Sequence, residues 1–255
     1  MSAGVLLVSV DAGVATLRLN RPERRNALNP ELRARLAGAL AELDRDEAVR
    51  VAVLTGSGKA FCAGVDLKDQ TAPTGHELAG GTEPVSAALA RFRKPVIAAI
   101  NGPAVGGGLE LALAADLRVA GPHATFALTE ARIGSMPGAG GTQRLPLLVG
   151  RAVAMKMLLT GRAIDAQEAL RTGLVSDVVA DLDAEAHALA GEIARCAPLS
   201  LIAIKQAVQS GAPGQALTAG LALERGLWAL LAETEDRAEG RAAFREGRAP
   251  RFTAR

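Results

Sequence analysis

One stretch of the chain, Lys94 to Asp116, joins a strand-length apolar run to a glycine run and an apolar helical segment. Val96 to Ile100 has the length and composition of a buried strand, and Asn101-Gly102 ends that strand as a turn. Three glycines at 106 to 108 then open a helix that continues through Leu109 to Ala115. The stretch therefore predicts a strand, a tight turn and a helix N-terminus within an α/β fold.

The glycine run gives this turn a chemical character. Glycine has no side chain, so a ligand can approach the bare backbone. The first N–H groups of a helix lack intrahelical partners and lie at the positive end of the helix dipole, which favours a negatively charged oxygen. Glu110 adds a carboxylate one turn into the same helix. The run alone leaves two other readings open, namely close packing and a glutamate that only complements the dipole.

Two glycine patterns are incompatible with a dinucleotide fingerprint. From Gly106, the spacing G-x-G-x-x-G requires glycine at the position of Leu111. A second cluster, Gly134 to Gly141, reads GSMPGAGG and opens another helix, but its completion requires glycine at Gln143. The sequence therefore does not favour a nucleotide-binding turn of that kind.

Composition limits the partners that the chain can have. Its 255 residues carry a net charge of +2, and only 2% are aromatic, with no tyrosine. We therefore expect no nucleic-acid partner, because the near-neutral net charge gives no case for binding a phosphate backbone and the scarcity of aromatic residues argues against base stacking. Polar residues interrupt the longest apolar run, at Asn101, Glu110 and Asp116, so we expect no membrane span either.

The cysteines and histidines show no metal-ligand spacing, and we expect no metal site. The two cysteines are far apart, and the three histidines are scattered (Cys62 and Cys196; His76, His123 and His187). The N-terminus has no basic region ahead of an apolar one, so it does not read as a secretory signal. These features predict a reducing, cytoplasmic setting.

Along the chain, strand and helix patterns alternate. A hairpin at Val5 to Asn20 precedes a polar connection, Pro22 to Asn29. A helix then starts at Pro30 with Asn29 as its cap, and its leucines recur at helical spacing (Leu32, Leu36, Leu40 and Leu43). Val49 to Thr55 is a continuous apolar strand of the kind covered on both faces. Strand and helix patterns then continue to Leu174 to Val179, with a loop expected at Asp69 to Pro84. Only helical patterns follow Asp183, so we predict an α/β core at residues 1–195 and a helical segment at residues 196–255.

A second carboxylate, Glu130, follows the predicted strand Thr125 to Leu128. No G-x-S-x-G nucleophile elbow is present, and no histidine lies in a recognisable triad context. Two glutamates without a metal or a nucleophile suggest proton transfer or water activation.

The sequence resembles the crotonase superfamily, also called the enoyl-CoA hydratase/isomerase superfamily. Five blocks in the order found in that family cover nearly the whole chain, which is far more specific than one glycine run. The blocks are KAFCAGVDLK (Lys59 to Lys68), KPVIAAINGPAVGGGLELALAAD (Lys94 to Asp116), FALTEARIGSMPGAGGTQRL (Phe126 to Leu145), TGRAIDAQEALRTGLV (Thr160 to Val175) and TEDRAEG (Thr234 to Gly240).

The resemblance implies a fold and a substrate class. The fold is an α/β spiral of ββα units with a C-terminal helical segment that builds homotrimers, often paired into homohexamers. The substrate is an acyl-CoA thioester, and no cofactor is needed because coenzyme A is part of that substrate.

It also implies roles for individual residues. Val65 and Gly107 match the two backbone N–H groups that hold the thioester oxygen. Glu110 matches the base that activates water, and Glu130 matches the proton donor. Gly138, in the Pro137-Gly138 turn, matches a backbone position that helps to place the water.

The coenzyme A moiety is expected along a strip matched by Ala63, Asp66, Leu67 and Lys68. Read singly, Asp66 could be a helix cap and Lys68 a solvated surface residue. The side chain of Val65 is expected in the core, since the assignment concerns only its N–H.

Three functions follow from these assignments. The first is hydration of a 2-enoyl-CoA to a 3-hydroxyacyl-CoA, favoured by the presence of both glutamates. The second is a Δ3-Δ2 enoyl-CoA isomerase or another acyl-CoA lyase of the same family. The third is an acyl-CoA-binding or assembly protein with little catalysis.

Overall fold

A computed structural model describes residues 4–66, 84–210, 226, 230 and 233–255. The predicted loop at Asp69 to Pro84 lies outside the described residues apart from Pro84, and so do Leu67 and Lys68. The strands are β1 (Leu6–Asp11), β2 (Val14–Leu19), β3 (Val51–Gly56), β4 (Val96–Ile100), β5 (Ala104–Val105), β6 (Leu117–Ala120), β7 (Thr125–Ala127), β8 (Ile164–Asp165) and β9 (Asp177–Val178).

The described α-helices alternate with these strands and then follow them. They are α1 (Pro30–Arg45), α2 (Val85–Arg91), α3 (Gly107–Leu113), α4 (Gly141–Thr160), α5 (Ala166–Thr172), α6 (Leu182–Ala194), α7 (Pro198–Ser210) and α8 (Glu235–Glu246). Two short 3-10 helices cover Pro22–Arg24 and Glu130–Ile133. The predicted strand at Leu174 to Val179 is shorter than expected, because only its last part pairs with β6.

Among the described residues, the main sheet has six strands in the order β1-β2-β3-β4-β6-β9. The hairpin pair β1-β2 is antiparallel and every other pair is parallel. A second sheet, in the order β5-β7-β8, lies beside it and carries the turn that leads into α3. Strands β3 and β4 are buried along their whole length, as expected for parallel strands covered on both faces.

Each face of the main sheet has its own apolar core. On one face, α1 contributes a stripe of buried leucines (Leu32, Leu36, Leu40 and Leu43), as its periodicity predicts. The side chain of Asn29 caps that helix by accepting a hydrogen bond from the N–H of Leu32 at 2.9 Å. On the other face, α6 packs its buried alanines against Val51, Val53 and Ile97.

The predicted polar connection, Pro22 to Asn29, is buried over part of its length. Asn26, Ala27 and Leu28 are buried, and the backbone of both Arg25 and Asn26 is left-handed. The Asn26 side chain makes this possible, since it donates to the carbonyls of Ser57 and Ala60 and accepts from the N–H of Arg21. The sequence indicates a polar connection but gives no sign of this burial, because the burial depends on contacts far away in sequence.

The described residues that follow β9 are helical apart from turns and the C-terminal tail. Among them, α7 contacts the core through Lys205, whose Nζ lies 2.7 Å from Oδ2 of Asp116. The domain boundary at residue 195 and the oligomerisation role of residues 196–255 stay predictions.

In the described part of the chain no single helix is long and apolar enough to cross a bilayer. The pair α6–α7 has sufficient length and apolar composition only when the two helices are counted together, and the pair is sharply bent between them.

Candidate active site

The predicted helix N-terminus forms as the glycine run indicates. Gly106 has a left-handed φ of +54°, and α3 begins at the next residue. Gly108 packs closely on the preceding strand segment, because a Cβ at this position would lie 2.1 Å from the carbonyl oxygen of Cys62. Glycine is therefore required for α3 to approach the segment that carries Val65.

Val65 lies in a short extended segment beside Leu28. The N–H of Leu28 donates to the carbonyl of Gly64 at 2.7 Å, and the N–H of Asp66 donates to the carbonyl of Leu28 at 3.3 Å. In a trans peptide the carbonyl and the N–H point in opposite directions. Since the Gly64 carbonyl points at Leu28, the N–H of Val65 points away from Leu28.

The two amides assigned to the thioester oxygen lie in one small region. A Cβ placed on Gly64 would lie 3.2 Å from the backbone nitrogen of Gly107, and one placed on Gly107 would lie 3.8 Å from Cγ2 of Val65. Within the described ranges, neither the Val65 N–H nor the Gly107 N–H has a hydrogen-bond acceptor. Two unengaged donors beside a helix N-terminus suit a negatively charged oxygen.

The side chain of Val65 is 45% exposed, so the expectation that it fills the core is wrong. The backbone of Val65 forms an isolated β-bridge with Leu28, and this pairing leaves the Val65 side chain at the surface of the site and not in the core. An exposed apolar side chain next to two free donors is compatible with contact to a ligand.

Glu110 is buried, with 3% of its surface exposed, and one of its oxygens is firmly held. Oε1 accepts hydrogen bonds from the N–H groups of Ala139 at 2.7 Å and Gly141 at 2.8 Å. Oε2 accepts none from the residues that the structure describes. The carboxyl group is therefore fixed through Oε1, and Oε2 is unengaged within the described part of the chain.

Glu130 opens the 3-10 helix that follows β7, and it approaches the same glycine turn. A Cβ on Gly106 would lie 2.9 Å from its Oε1, so this glycine makes room for the carboxylate. Its Oε2 is fully buried and has no hydrogen-bond partner among the described residues. A buried carboxylate oxygen without a partner is costly when charged, and the cost is lower when it carries a proton.

The electrostatics agree with that arrangement. Burial raises the pKa of the Glu130 carboxyl above its ordinary value, hydrogen bonding by its own backbone offsets part of the rise, and the charge of Glu110 raises it further. The two carboxyl groups are therefore close enough to influence one another. Glu130 is the member of the pair that holds a proton more readily at a given pH than an ordinary glutamate.

The other predicted positions surround this pair. Pro137 is buried against the start of α4, whereas Gly138 is exposed with open space where a Cβ would be. The N–H of Ala63 donates to the carbonyl of Arg25 at 3.0 Å. The carboxylate of Asp66 forms a buried ion pair with Arg21 at 3.0 Å, and this charge pair ties the Val65 segment to the end of β2.

Several residues that shape the site carry no recognisable sequence signal. Leu28 orients the Val65 peptide, Arg21 binds Asp66, and Ala139 and Gly141 hold Glu110. The GSMPGAGG cluster could have indicated a helix start, but it could not indicate which side chain the amides of that start would bind. In the described part of the chain no group of three or more histidine, cysteine, aspartate or glutamate residues is placed to hold a metal ion.

Residues 9–255 match the family described as Enoyl-CoA hydratase/isomerase. The chain is 49% identical to (E)-benzylidenesuccinyl-CoA hydratase of Thauera aromatica, over 96% of this chain and 97% of that protein. It is 48% identical to 2,3-dehydroadipyl-CoA hydratase of Escherichia coli K12, over 98% and 99% of the two chains.

A crystal structure of enoyl-CoA hydratase from Bacillus anthracis superimposes with a TM-score of 0.92 at 37% identity, covering 99% of this chain and 100% of that one. This similarity confirms the predicted crotonase-type α/β fold. The family match over nearly the whole chain agrees with the five sequence blocks. The chain therefore belongs to the enoyl-CoA hydratase/isomerase family, within the crotonase superfamily.

Proposed function

We propose that this protein is a 2-enoyl-CoA hydratase, which adds water across the 2,3 double bond of an enoyl-CoA thioester to give a 3-hydroxyacyl-CoA. The observation that carries the proposal is the pair of carboxyl groups in unlike surroundings, Glu110 and Glu130, next to two amides that have no acceptor among the described residues. The names of the two relatives, at 49% and 48% identity, also describe hydratases of CoA thioesters.

The thioester carbonyl would lie between the N–H groups of Val65 and Gly107. Addition of water to C3 builds negative charge on that oxygen, and two preorganised donors stabilise the charge as it forms. Loss of one such donor in an acyl-transfer enzyme lowers the rate roughly 10²- to 10³-fold. The apolar side chain of Val65 would lie against the substrate.

Glu110 would act as the base. Its Oε1 is held by Ala139 and Gly141, so Oε2 keeps a defined direction and is free to accept a proton from the attacking water. The N–H of Gly138, on the same turn, would help to place that water. General base help of this kind contributes roughly 10²- to 10⁴-fold.

Glu130 would supply the proton that arrives at C2. Its raised pKa favours the protonated form, and its buried Oε2 has no competing partner among the described residues. The atoms of the reaction balance. The hydroxyl of the water would add to C3, Glu110 would take the remaining proton of that water, and Glu130 would give its own proton to C2. No cofactor enters beyond the coenzyme A of the substrate.

The remaining assignments stay predictions. The coenzyme A moiety would lie along Ala63, Asp66, Leu67 and Lys68, with the last two outside the described residues. We also propose a homotrimer or homohexamer in the cytoplasm, with neither nucleic acid nor membrane as a partner. Light scattering of the purified protein tests the assembly.

A panel of 2-enoyl-CoA thioesters tests the activity, starting with crotonyl-CoA and including benzylidenesuccinyl-CoA and 2,3-dehydroadipyl-CoA. Loss of absorbance of the conjugated thioester reports hydration. A 3-enoyl-CoA assay separates isomerase from hydratase activity, and tight acyl-CoA binding without any turnover favours a binding protein. No hydration across the panel would overturn the proposal.

Two variants test the assigned roles. We expect Glu110→Gln and Glu130→Gln each to lower kcat by at least about 100-fold, because each removes one proton-transfer group. Glu47→Gln is the matched control, since Glu47 is exposed and far from the site in sequence. Near-normal turnover in either site variant, with an intact fold by circular dichroism, would remove that residue from the mechanism.

A further inference from the structure

Ser86 lies on α2 and makes its side-chain contact with the turn that holds Glu110. It is 2% exposed, and its Oγ donates to the carbonyl of Ala139 at 2.8 Å. The two residues are 53 positions apart, so the bond joins two different elements of the fold. Ala139 is also one of the two residues whose N–H binds Oε1 of Glu110.

Ala139 is therefore held at both of its polar groups. Its N–H donates to Glu110, and its carbonyl accepts from Ser86 and, at 3.0 Å, from Nη1 of Arg144. Arg144 belongs to α4, the helix that the turn itself begins, so its bond is local. Ser86 instead ties the turn to α2, in addition to the bonds that join the turn to Glu110 of α3.

The turn needs such a restraint. Gly140, between Ala139 and Gly141, has a left-handed φ of +108°, and glycine has more backbone freedom than any other residue. Both N–H groups that hold Glu110 flank this glycine. The Ala139 carbonyl belongs to the peptide unit between Ala139 and Gly140, which links the two donor residues. A shift of this unit would therefore displace the backbone that carries both donors.

We propose that Ser86 is a positioning residue for Glu110, acting through the Ala139 peptide groups and not through contact with the substrate. This inference rests on the proposed role of Glu110 as the base. A misplacement of about 1 Å at a catalytic group lowers a rate by up to roughly 10²-fold. Loss of the Ser86 hydroxyl should therefore act mainly on kcat.

The test compares Ser86→Ala with Ser176→Ala. Ser176 also donates from its hydroxyl to a backbone carbonyl, that of Arg118 at 3.2 Å, but it is exposed and lies at the β9 end of the main sheet. We expect Ser86→Ala to lower kcat about 10- to 100-fold with KM changed less than about 3-fold, and Ser176→Ala to change neither. Equal kcat values for Ser86→Ala and wild type would overturn the proposal.

A double-variant cycle separates positioning from general loss of structure. If Ser86 acts through Glu110, Ser86→Ala should change kcat little when Glu110→Gln is already present, because the base is then absent. A purely structural effect would lower kcat by the same factor in both backgrounds, and that result would contradict the proposal. Ser86→Cys, which keeps the shape but donates weakly, replaces Ser86→Ala if the latter does not fold.

Hydrogen exchange gives a readout that does not depend on the reaction. Ser86→Ala should speed exchange in a peptide that covers residues 137–145, whereas Ser176→Ala should not. If the wild type hydrates no substrate but exchange still responds in this way, the proposed function fails while the structural link holds. If hydration is normal and exchange does not respond, only the inference about Ser86 fails.

Discussion

At the scale of single residues, the site depends on two glutamates in different surroundings. Glu110 receives two backbone donors at Oε1, whereas the buried Oε2 of Glu130 receives none from the described residues. Hydrogen bonds to a carboxylate favour its charged form, and burial without them favours the protonated form. The different surroundings of the two side chains are the basis of the proposed division into a base and an acid.

The raised pKa of Glu130 predicts a pH dependence of stability. Over the range between its ordinary pKa of 4.5 and the raised folded-state pKa, the folded protein holds a proton that the unfolded chain has lost. The contribution of this residue to the free energy of unfolding therefore falls as pH rises through that range. Glu130→Gln removes the effect, so the stability of the variant relative to wild type should increase with pH.

Urea unfolding at a series of pH values measures this difference. The exposed Glu47→Gln variant is the control for removing a surface carboxylate. A difference between Glu130→Gln and wild type that does not change with pH, or that changes no more than the control, would mean that the Glu130 carboxyl does not titrate differently in the folded protein.

Gly106→Ala tests whether the glycine turn must leave space for the Glu130 side chain. The new Cβ would lie 2.9 Å from Oε1 of Glu130, and alanine at a φ of +54° also strains the backbone by roughly 1–3 kcal/mol. We expect lower thermal stability and a kcat at least about 10-fold lower, since the carboxylate must move.

Gly247→Ala is the control, because it strains the backbone as Gly106→Ala does but does not displace the Glu130 carboxylate. Gly247 has a φ of +65°, but a Cβ there would meet nothing within 4 Å. This variant should lose stability by a similar amount and keep its hydration rate. If both variants retained full activity, the position of Glu130 would not depend on Gly106.

At the scale of elements, α3 and the strand segment of Cys62 must approach one another closely. Gly108→Ala would place a Cβ 2.1 Å from the carbonyl oxygen of Cys62, which is backbone and cannot rotate away. We expect this variant to lose at least about 2 kcal/mol of unfolding free energy, because the helix start must shift. Chemical denaturation followed by circular dichroism measures the loss.

Gly38→Ala is the matched control within another helix. Gly38 is exposed in α1, and a Cβ there would meet nothing within 4 Å. We expect alanine to raise the unfolding free energy by about 0.5–1 kcal/mol, because glycine has lower helix propensity. If both substitutions lowered stability alike, close approach at Gly108 would not be the cause.

The elements themselves could largely be predicted from the sequence. The strands β3 and β4, the capped start of α1 and the glycine start of α3 form at the predicted places, because each depends on local composition and turn chemistry. The predicted strand at Leu174 to Val179 was too long, since pairing at a sheet edge depends on the neighbouring strand. The buried turn at Asn26 was missed because its partners, Ser57 and Ala60, are more than 30 residues away.

The same limit applies to the candidate site. Family resemblance supplied Glu110, Glu130, Val65 and Gly107, which are recognisable from the residues beside them in sequence. The contacts that orient these groups come from Leu28, Ala139 and Ser86, and each joins segments distant in sequence. A single sequence contains no local signal for such pairs, since many hydroxyl and amide groups along the chain could form the same hydrogen bonds.

At the scale of the whole molecule, a buried charge pair fastens the helical C-terminal part to the sheet. Lys205 of α7 has 7% side-chain exposure, and its Nζ donates to Asp116 at 2.7 Å and to the carbonyl of Lys94 at 3.0 Å. Asp116 also accepts from the N–H of Val96, the first residue of β4. The contact thus joins α7 to the strand that leads into the glycine turn.

Lys205→Met keeps the apolar stem of this side chain and removes its charge. Asp116 would then keep the Val96 N–H but lose its ionic partner in a largely buried position, and breaking such a pair from one side costs about 3–5 kcal/mol when burial is complete. Because 23% of the Asp116 side chain is exposed, we expect the free energy of unfolding, measured in urea, to fall by about 3 kcal/mol.

Arg18→Met is the control, since the side chains of the Arg18–Asp183 pair are 30% and 60% exposed and their pairing should contribute about 1 kcal/mol or less. Similar losses in the two variants would mean that the Lys205 pair is no more than a surface contact, and that apolar packing alone holds α7 against the sheet.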